Sequence, residues 1–354
     1  MTLFDSAAFE GHESVNAFYD EATGLKTIIA VHSTARGPAA GGCRMWPYAT
    51  AEDALTDALR LSRAMSYKNA VADIAHGGGK AVIIGDSRTM KSPALFEAFG
   101  RAVDKVGGRY WTAEDVGVSP ADLLSARKHT RFVAGLDGHP AASGDPSSVT
   151  AEGVFRGVQL AAKRAFGGAG VDGLTVAIQG VGHVGAFLAE KLHAAGARLV
   201  IADVNQDALR EVADKTGAVI ASTEAIFDVG ADVFAPCALG GAITLDTLKR
   251  LKAKVIAGGA NNQLATAEAG EALFAEGRLY APDYVINGGG IINVAGEIRA
   301  LDAGAAFDPA WVESKLGRLM QTLDEVFQRS ADERRPTHEI AGEIARARMA
   351  KAQG

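Results

Sequence analysis

The amino-acid sequence predicts an α/β protein of two domains, on three grounds. The first is length: 354 residues exceed what one hydrophobic core usually organises. The second is composition. Hydrophobic residues make up 48%, charged residues 22% and aromatics only 6%, with 42 glycines. That balance favours short strands and alanine-rich helices over a sandwich of aromatic strands. The third is rhythm. Apolar runs of strand length recur at 174–179, 198–202, 218–220, 232–235, 254–257 and 284–286, separated by helix-forming stretches. Such alternation builds a mostly parallel, doubly wound sheet of the Rossmann type.

The first half is a mixed α/β pattern. Thr27–His32 reads as a strand. Thr50 then caps a helix, with Asp53 as its capping-box partner, and Ala54, Leu55, Ala58, Leu59 and Met65 fall on one face. Two short strands follow at 70–72 and 81–84, with Gly77-Gly78-Gly79-Lys80 between them. A helix follows Ser92-Pro93, and Tyr110-Trp111-Thr112 is strand-like. The Gly-, Pro- and Ser-rich loop from Gly135 to Ser148 marks the domain boundary, dividing 1–140 from 141–329. A helix over 148–166 leads into the second domain. The tail, 310–350, keeps a helical period through Met320, Leu323, Val326 and Phe327, and 330–354 is expected to pack back on the first domain.

Several classes are disfavoured. Net charge is −6 and no basic patch stands out, which argues against nucleic acid. No apolar run reaches the ~18 residues of a membrane span, and Met1-Thr2-Leu3-Phe4-Asp5 lacks a signal-peptide pattern. Cys43 and Cys237 make no disulfide framework, so a reducing, cytoplasmic compartment is expected. No HExxH or CxxC spacing points to a metal.

The most informative segment is Ile178-Gln179-Gly180-Val181-Gly182-His183-Val184-Gly185. An apolar strand precedes it and a helix former, Ala186–Leu192, follows it. A second strand ends at Asp203, eighteen residues past Gly185. The glycines allow a tight turn and close approach of backbone to a pyrophosphate. The helix N-terminus supplies partial positive charge, and Asp203 can accept from ribose hydroxyls. A dinucleotide site is expected here. An acid at Asp203 repels a 2′-phosphate and so favours NAD over NADP.

Other residues carry chemistry less unambiguously. Lys68 and Lys80 stand twelve residues apart, each beside an expected short strand. Lysines brought together and buried depress one another's pKa, so one can grip a carboxylate while the other moves protons. By spacing alone, two solvated surface lysines are the commoner outcome. The run before Lys80 is not a phosphate-binding P-loop, because Ile74 and Ala81 occupy the positions that need Gly and Ser or Thr. Asp115 follows an apolar strand and precedes Gly117, which fits a mounted acid or an ordinary turn. Thr150 lies near a helix start, where hydroxyls commonly cap. Asn261 and Asn262 fit either a ligand amide contact or turn chemistry. Cys237 reads as a buried structural thiol, and neither His76 nor His183 is assigned chemistry.

Together these segments resemble a known family. Gly37-Pro38-Ala39-Ala40-Gly41-Gly42-Cys43-Arg44-Met45, Met65-Ser66-Tyr67-Lys68 and Gly77-Gly78-Gly79-Lys80-Ala81 resemble the glutamate/leucine/phenylalanine/valine dehydrogenases. So do Thr112–Gly117, Ser143–Gly153, Phe234–Gly240, Ala260–Leu264 and Ile286–Gly290, in order along nearly the whole chain. The wording is most similar to the leucine-type members, with the phenylalanine type next.

The resemblance implies a substrate-binding and oligomerisation domain, an NAD-binding Rossmann domain and an active site between them. It also implies oxidative deamination. Hydride leaves the α-carbon of an amino acid, water adds to the imine, and a 2-oxo acid and ammonia result. The lysine matching Lys68 holds the α-carboxylate, Lys80 polarises the carbonyl and activates water, and Asp115 shuttles the amine proton. Gly41, Gly42, Ala40, Ala113, Asn262, Ile291 and Val294 fall on the substrate side. Gly180, Gly182, His183, Val184, Gly185, Asp203, Thr150, Ala238 and Asn261 fall on the cofactor side. A homo-oligomer, from dimer to octamer, is implied as well.

Glutamate-specific members carry lysine at the position of Ala40 and serine at that of Val294. Here both are apolar, so a second carboxylate would be buried at a cost. The expected substrate is therefore aliphatic, of the leucine/valine/isoleucine type. Phenylalanine is the alternative, because Ala40 replaces a larger leucine. A reading from another class is a catalytically silent dinucleotide-binding protein. Loss of Lys68, Lys80 or Asp115 would favour it, and all three are present.

Overall fold

The computed structural model describes residues 3–168 and 170–351, which form two compact units. The first falls within Met1–Asp145, Ile291–Ser314 and Ala345–Gly354, and the second within Pro146–Gly290 and Lys315–Ile344.

The first unit contains β1 (Ser14–Asp20), β2 (Leu25–Ser33), β3 (Ala39–Trp46), α1 (Ala51–Val71), β4 (Gly77–Ile84), α2 (Pro93–Lys105), β5 (Tyr110–Glu114) and α3 (Pro120–Arg127). Its sheet runs β1-β2-β4-β3-β5. The β1–β2 and β2–β4 pairs are antiparallel, and β3 lies parallel to both β4 and β5. Helix α1 starts where expected: Thr50 accepts from the Asp53 N–H and Asp53 closes the capping box. Its Ala54, Ala58 and Leu59 pack on Ala30 and Val82 of one sheet face. On the other face, Leu95, Phe96 and Phe99 of α2 and Leu123 of α3 bury against Ile29, Cys43, Ala81 and Ile83. Each of the two phenylalanines contributes roughly 2–3 kcal/mol by leaving water.

Two local expectations change here. Ala70 and Val71 end α1, with Ala72 as its C-cap, and do not form a strand. An apolar triplet is too short for periodicity to distinguish the two, and the helix already buries Ser62, Ser66 and Asn69 on the same stripe. The glycine run is itself the start of β4. A Cβ at Gly78 would collide with the Ser66 backbone, so only glycine lets α1 rest directly on the strand.

The second unit contains α4 (Pro146–Phe166), β6 (Thr175–Gln179), α5 (His183–Ala194), β7 (Arg198–Ala202), α6 (Gln206–Thr216), β8 (Val219–Ile220) and β9 (Val233–Pro236). There follow α7 (Leu245–Arg250), β10 (Val255–Ile256), α8 (Ala267–Ala275), β11 (Leu279–Tyr280) and α9 (Asp283–Ile286). The strands form one parallel sheet, β11-β10-β9-β6-β7-β8. The order turns back at β6, the topological switch point where doubly wound sheets bind ligands. The strand expected at 284–286 is helix α9. The edge position is taken instead by Leu279 and Tyr280, paired with Val255 and Ile256. Pro282 caps α9 and Asp283 occupies its first turn, which are helix-start signals.

The remaining helices are α10 (Gly289–Ala303), α11 (Pro309–Glu333) and α12 (Thr337–Lys351). The tail is helical as read, broken at Arg334, which has a left-handed φ of 53°. The units divide at 145/146 instead of 140/141, and 291–314 belongs with the first unit, where Leu301 packs on the core. Of the described tail expected to return to the first domain, 345–351 does so. Among the described residues no helix is long and apolar enough to cross a membrane.

Candidate active site

Lys80, Asp115 and several small residues share one face of the first unit's sheet. The register pairs Ala40 with Gly78, Arg44 with Val82, and Gly42 with Ala113. Side chains alternate along strands, so Ala40, Gly42, Arg44, Gly78, Lys80 and Ala113 belong to the α1 face. Asp115 follows directly at the end of β5. A Cβ at Gly42 would lie 2.9 Å from the Asp115 Cβ and would also collide with the Glu114 carbonyl, so glycine there makes room for the acid. The carbonyls of Gly41 and Gly42 accept from the buried Tyr110 hydroxyl at 2.8 and 3.1 Å. Lys68 lies in the last turn of α1, not beside a strand, two residues past the Ser66 contact with Gly78.

The sheet joins two charges that sequence distance separates. Lys80 Nζ lies 2.5 Å from Asp115 Oδ2, and the lysine is only 5% exposed. Arg44 Nε reaches the same oxygen at 3.2 Å. Burial, the largest single influence, pushes the Asp115 carboxyl upward. The opposing pull of Lys80 and Arg44 and a bond from the Val116 N–H exceed it and hold the group at about 2. Asp115 is therefore an anion at neutral pH, held in that form by the two basic side chains beside it. Arg44 is itself tethered to Asp57 at 3.0 Å, and Tyr48 donates to that aspartate at 2.6 Å. Ala40, Ala113, Ile291 and Val294 are all buried in this unit.

The second unit carries the glycine-rich turn. Gly180 has a φ of 96°, and a Cβ there would meet the Ala238 N at 2.6 Å. A Cβ at Gly185 would collide with the Gly180 carbonyl. A Cβ at Gly182 would meet nothing within 4 Å, and no side chain caps the start of α5. This is a helix N-terminus open to a phosphate. His183 is exposed at its first position, and Val184 stands against Gly259. Asp203, expected from the sequence to face a ribose, is bonded to the turn itself. Its two oxygens accept from the N–H groups of Val181 at 2.7 Å and Asn205 at 2.8 Å, fixing the turn. Thr150 lies one turn inside α4, not at its cap, and donates to the Pro146 carbonyl at 2.8 Å.

Residues 12–131 match the Glu/Leu/Phe/Val dehydrogenase dimerisation domain. Residues 201–354 match the Glutamate/Leucine/Phenylalanine/Valine dehydrogenase domain. The chain belongs to the Glu/Leu/Phe/Val dehydrogenase family. Leucine dehydrogenase of Geobacillus stearothermophilus is 44% identical, over 99% of this chain and 94% of its own. Valine dehydrogenase of Streptomyces coelicolor is 45% identical, over 99% and 96%. The crystal structure of L-tryptophan dehydrogenase from Nostoc punctiforme superposes with a TM-score of 0.83 at 36% identity, covering 97% of each chain. The hetero-hexameric glutamate dehydrogenase from Thermus thermophilus shares the fold, with a TM-score of 0.79 at 23% identity.

Some residues of this amino-acid dehydrogenase's site were not singled out in the sequence. Arg44 is one, although its place two residues after Gly42 on an alternating strand is a usable signal. Asn287 is another: its amide donates to Asn261 Oδ1 at 2.8 Å and to the Gly259 carbonyl at 3.2 Å. Buried Gln263 donates to the carbonyls of Gly258 and Ala260. These two brace the turn in which Asn262 takes a left-handed φ of 51°. Burial pushes the Cys237 thiol up to about 11 and raises Cys43 as well, so neither is a reactive thiolate. Among the described residues no group of acids, histidines and cysteines is arranged to hold a metal.

Proposed function

We propose that this protein catalyses the reversible, NAD-dependent oxidative deamination of an apolar L-amino acid of the leucine, valine or isoleucine type. The products are the 2-oxo acid, ammonia and NADH. The observation that carries the reading is the buried Lys80–Asp115 pair at 2.5 Å, in a chain 43–49% identical to leucine dehydrogenases. Gly180, Gly182 and Gly185 fit a pyrophosphate, because the room a Cβ would fill at Gly182 lies at an uncapped helix start. Asp203 fits an adenosine ribose without a 2′-phosphate. When bound, the nicotinamide supplies the hydride acceptor.

The residues divide the remaining work. Lys68 binds the substrate α-carboxylate. Asp115, anionic at neutral pH, takes the proton from the substrate ammonium and so frees the amine lone pair. Once an imine has formed, Lys80 assists the attack of water, and the carbinolamine collapses to the oxo acid and ammonia. Gly41 and Gly42 fall on the substrate side, where the missing Cβ leaves room for the Gly79 carbonyl in one case and for Asp115 in the other. Ala40, Ala113, Ile291 and Val294 offer its side chain an apolar wall, against which a second carboxylate would be unpaired. Asn262 faces the substrate, and Thr150, Ala238 and Asn261 the cofactor.

A phenylalanine-type substrate is the second reading. It is favoured by the small Ala40 and by the similarity to the structure of L-tryptophan dehydrogenase from Nostoc punctiforme. A cytoplasmic homo-oligomer belongs to the same proposal, supported by the first domain's match to a dimerisation domain. The deciding assay follows NADH formation at alkaline pH with leucine, valine, phenylalanine and glutamate separately, then with NADP. Turnover of leucine and valine with NAD is expected. No rate with any of the four would restore the silent-binder reading.

A further inference from the structure

One buried charge lies outside the machinery described so far. Glu297 of α10 is fully buried, and its carboxylate is filled by four donors from one loop. Oε1 accepts from the N–H groups of Gly135 at 2.8 Å and Leu136 at 2.9 Å. Oε2 accepts from the Ser143 N–H at 3.1 Å and its hydroxyl at 2.8 Å. One turn earlier, Asn293 donates to the Ser143 carbonyl at 3.3 Å.

We propose that Glu297 is a positioning residue for the substrate pocket, an inference that rests on the function proposed above. It fastens the two ends of the 135–143 loop to α10, and so sets Ile291 and Val294 against the strand that carries Ala113 and leads to Asp115. The chain of contacts is continuous within the first unit. Phe132 and Ala134 pair with Thr112 of β5, through bonds of 3.0 and 2.9 Å. The next residue, Gly135, has a φ of 83°, and a Cβ there would lie 3.2 Å from Leu123 and 3.7 Å from the Glu114 N. Gly135 and Leu136 then bond Glu297. Val294 and Ile291 lie one and nearly two turns before it on the same helix. Burying a carboxylate is costly, and an apolar side chain of the same volume would serve bare stability as well or better. What four directed bonds add is a fixed distance between β5 and α10.

The test uses the full-length protein and two variants. Glu297→Gln keeps the shape but turns an amide N–H₂ toward donors. Ser143→Ala removes one donor of the four. The readouts are kcat and KM for leucine, valine and phenylalanine, the pH profile of kcat, NADH affinity by fluorescence, and the melting temperature. Glu297→Gln is expected to raise KM for leucine on the order of tenfold and to shrink the leucine-over-valine ratio of kcat/KM. NADH affinity and the position of the pH profile stay as in the parent. Ser143→Ala moves KM and the ratio the same way by about twofold or more. Variants that melt earlier but keep the parental KM and selectivity overturn the proposal and leave Glu297 a structural residue. If Glu297→Gln does not fold, parental values in Ser143→Ala overturn it alone. A parent that oxidises none of these amino acids removes the functional reading and this inference with it. An active parent with unaffected variants removes only the inference.

Discussion

Replacing Asp115 by Asn tests the electrostatics of the site directly. The substitution keeps shape and deletes the charge that faces Lys80 at 2.5 Å and Arg44 at 3.2 Å. In the native protein the carboxyl sits at about 2, against 3.8 in an unfolded chain. That difference corresponds to about 2 kcal/mol of stability at pH 7. The sign follows from proton counts. Below pH ~4 the unfolded chain takes up the proton while the native one does not, so the advantage is full above pH ~5, falls to roughly half by pH 3 and is gone below ~2. A protonated Asp and an Asn are nearly isosteric, so parent and variant should converge in acid. Urea unfolding of both proteins at one fixed protomer concentration, from pH 7 to pH 3, reads this out, because assembly would otherwise contribute to the midpoint. Activity should fall by roughly 10²–10⁴-fold in the variant, as expected when a proton-transfer group is removed. A variant as stable as the parent at pH 7, or a stability gap unchanged at pH 3, would refute the account of Asp115 as an anion held by two cations.

Three further outcomes follow from the site. Lys80→Ala should abolish turnover while NADH still binds with parental affinity, measured by fluorescence titration; full activity would sink the mechanism. Asp203→Ala loses both the acid proposed to face the ribose and two backbone bonds that fix the glycine turn. NADH affinity should drop about tenfold or more, and the preference over NADPH should narrow, since the 2′-phosphate is no longer repelled; unchanged discrimination would show that Asp203 does not select the cofactor. Ala40→Leu fills a fully buried position, so kcat/KM for phenylalanine should fall relative to leucine by roughly 10-fold, and an unaltered ratio would remove Ala40 from the pocket wall.

The second unit was the more legible half because its signals are local. Each strand is a short apolar run bounded by turn residues, and the glycine turn after β6 announces the switch point, which lies between β6 and β9. The capping box at Thr50 and Asp53 was legible for the same reason. β3 was not, because Ala39-Ala40-Gly41-Gly42 contains no residue of high strand propensity. Those residues are extended because β4 and β5 pair with them on both sides, a tertiary cause that overrides propensity. The unit boundaries were hard to place because α10, α11 and α12 each begin in one unit and end in the other. Lys80 and Asp115 were each visible as candidates, but their pairing depends on the register of β3 between them. The resemblance of motifs, not spacing, was what joined them.

Glycine has opposite causes in the two halves of the candidate site, and the contrast bears on function. Gly42 and Gly78 are glycine because the protein itself occupies the space a Cβ needs, next to Asp115 in one case and against α1 in the other. Gly180 is glycine for both reasons a protein has, a positive φ and a crowded neighbour in Ala238. Gly182 has neither. Its φ of −63° suits any residue, and a Cβ would meet nothing within 4 Å. Neither packing nor conformation therefore demands glycine at that position, although glycine lowers stability by raising the entropy of the unfolded chain. Glycine also serves as a helix N-cap, and at this start, which no side chain caps, it leaves the N–H groups open to the close approach of something outside the chain. A pyrophosphate fits that opening, which makes Gly182, more than its two neighbours in the motif, the glycine that speaks for a ligand.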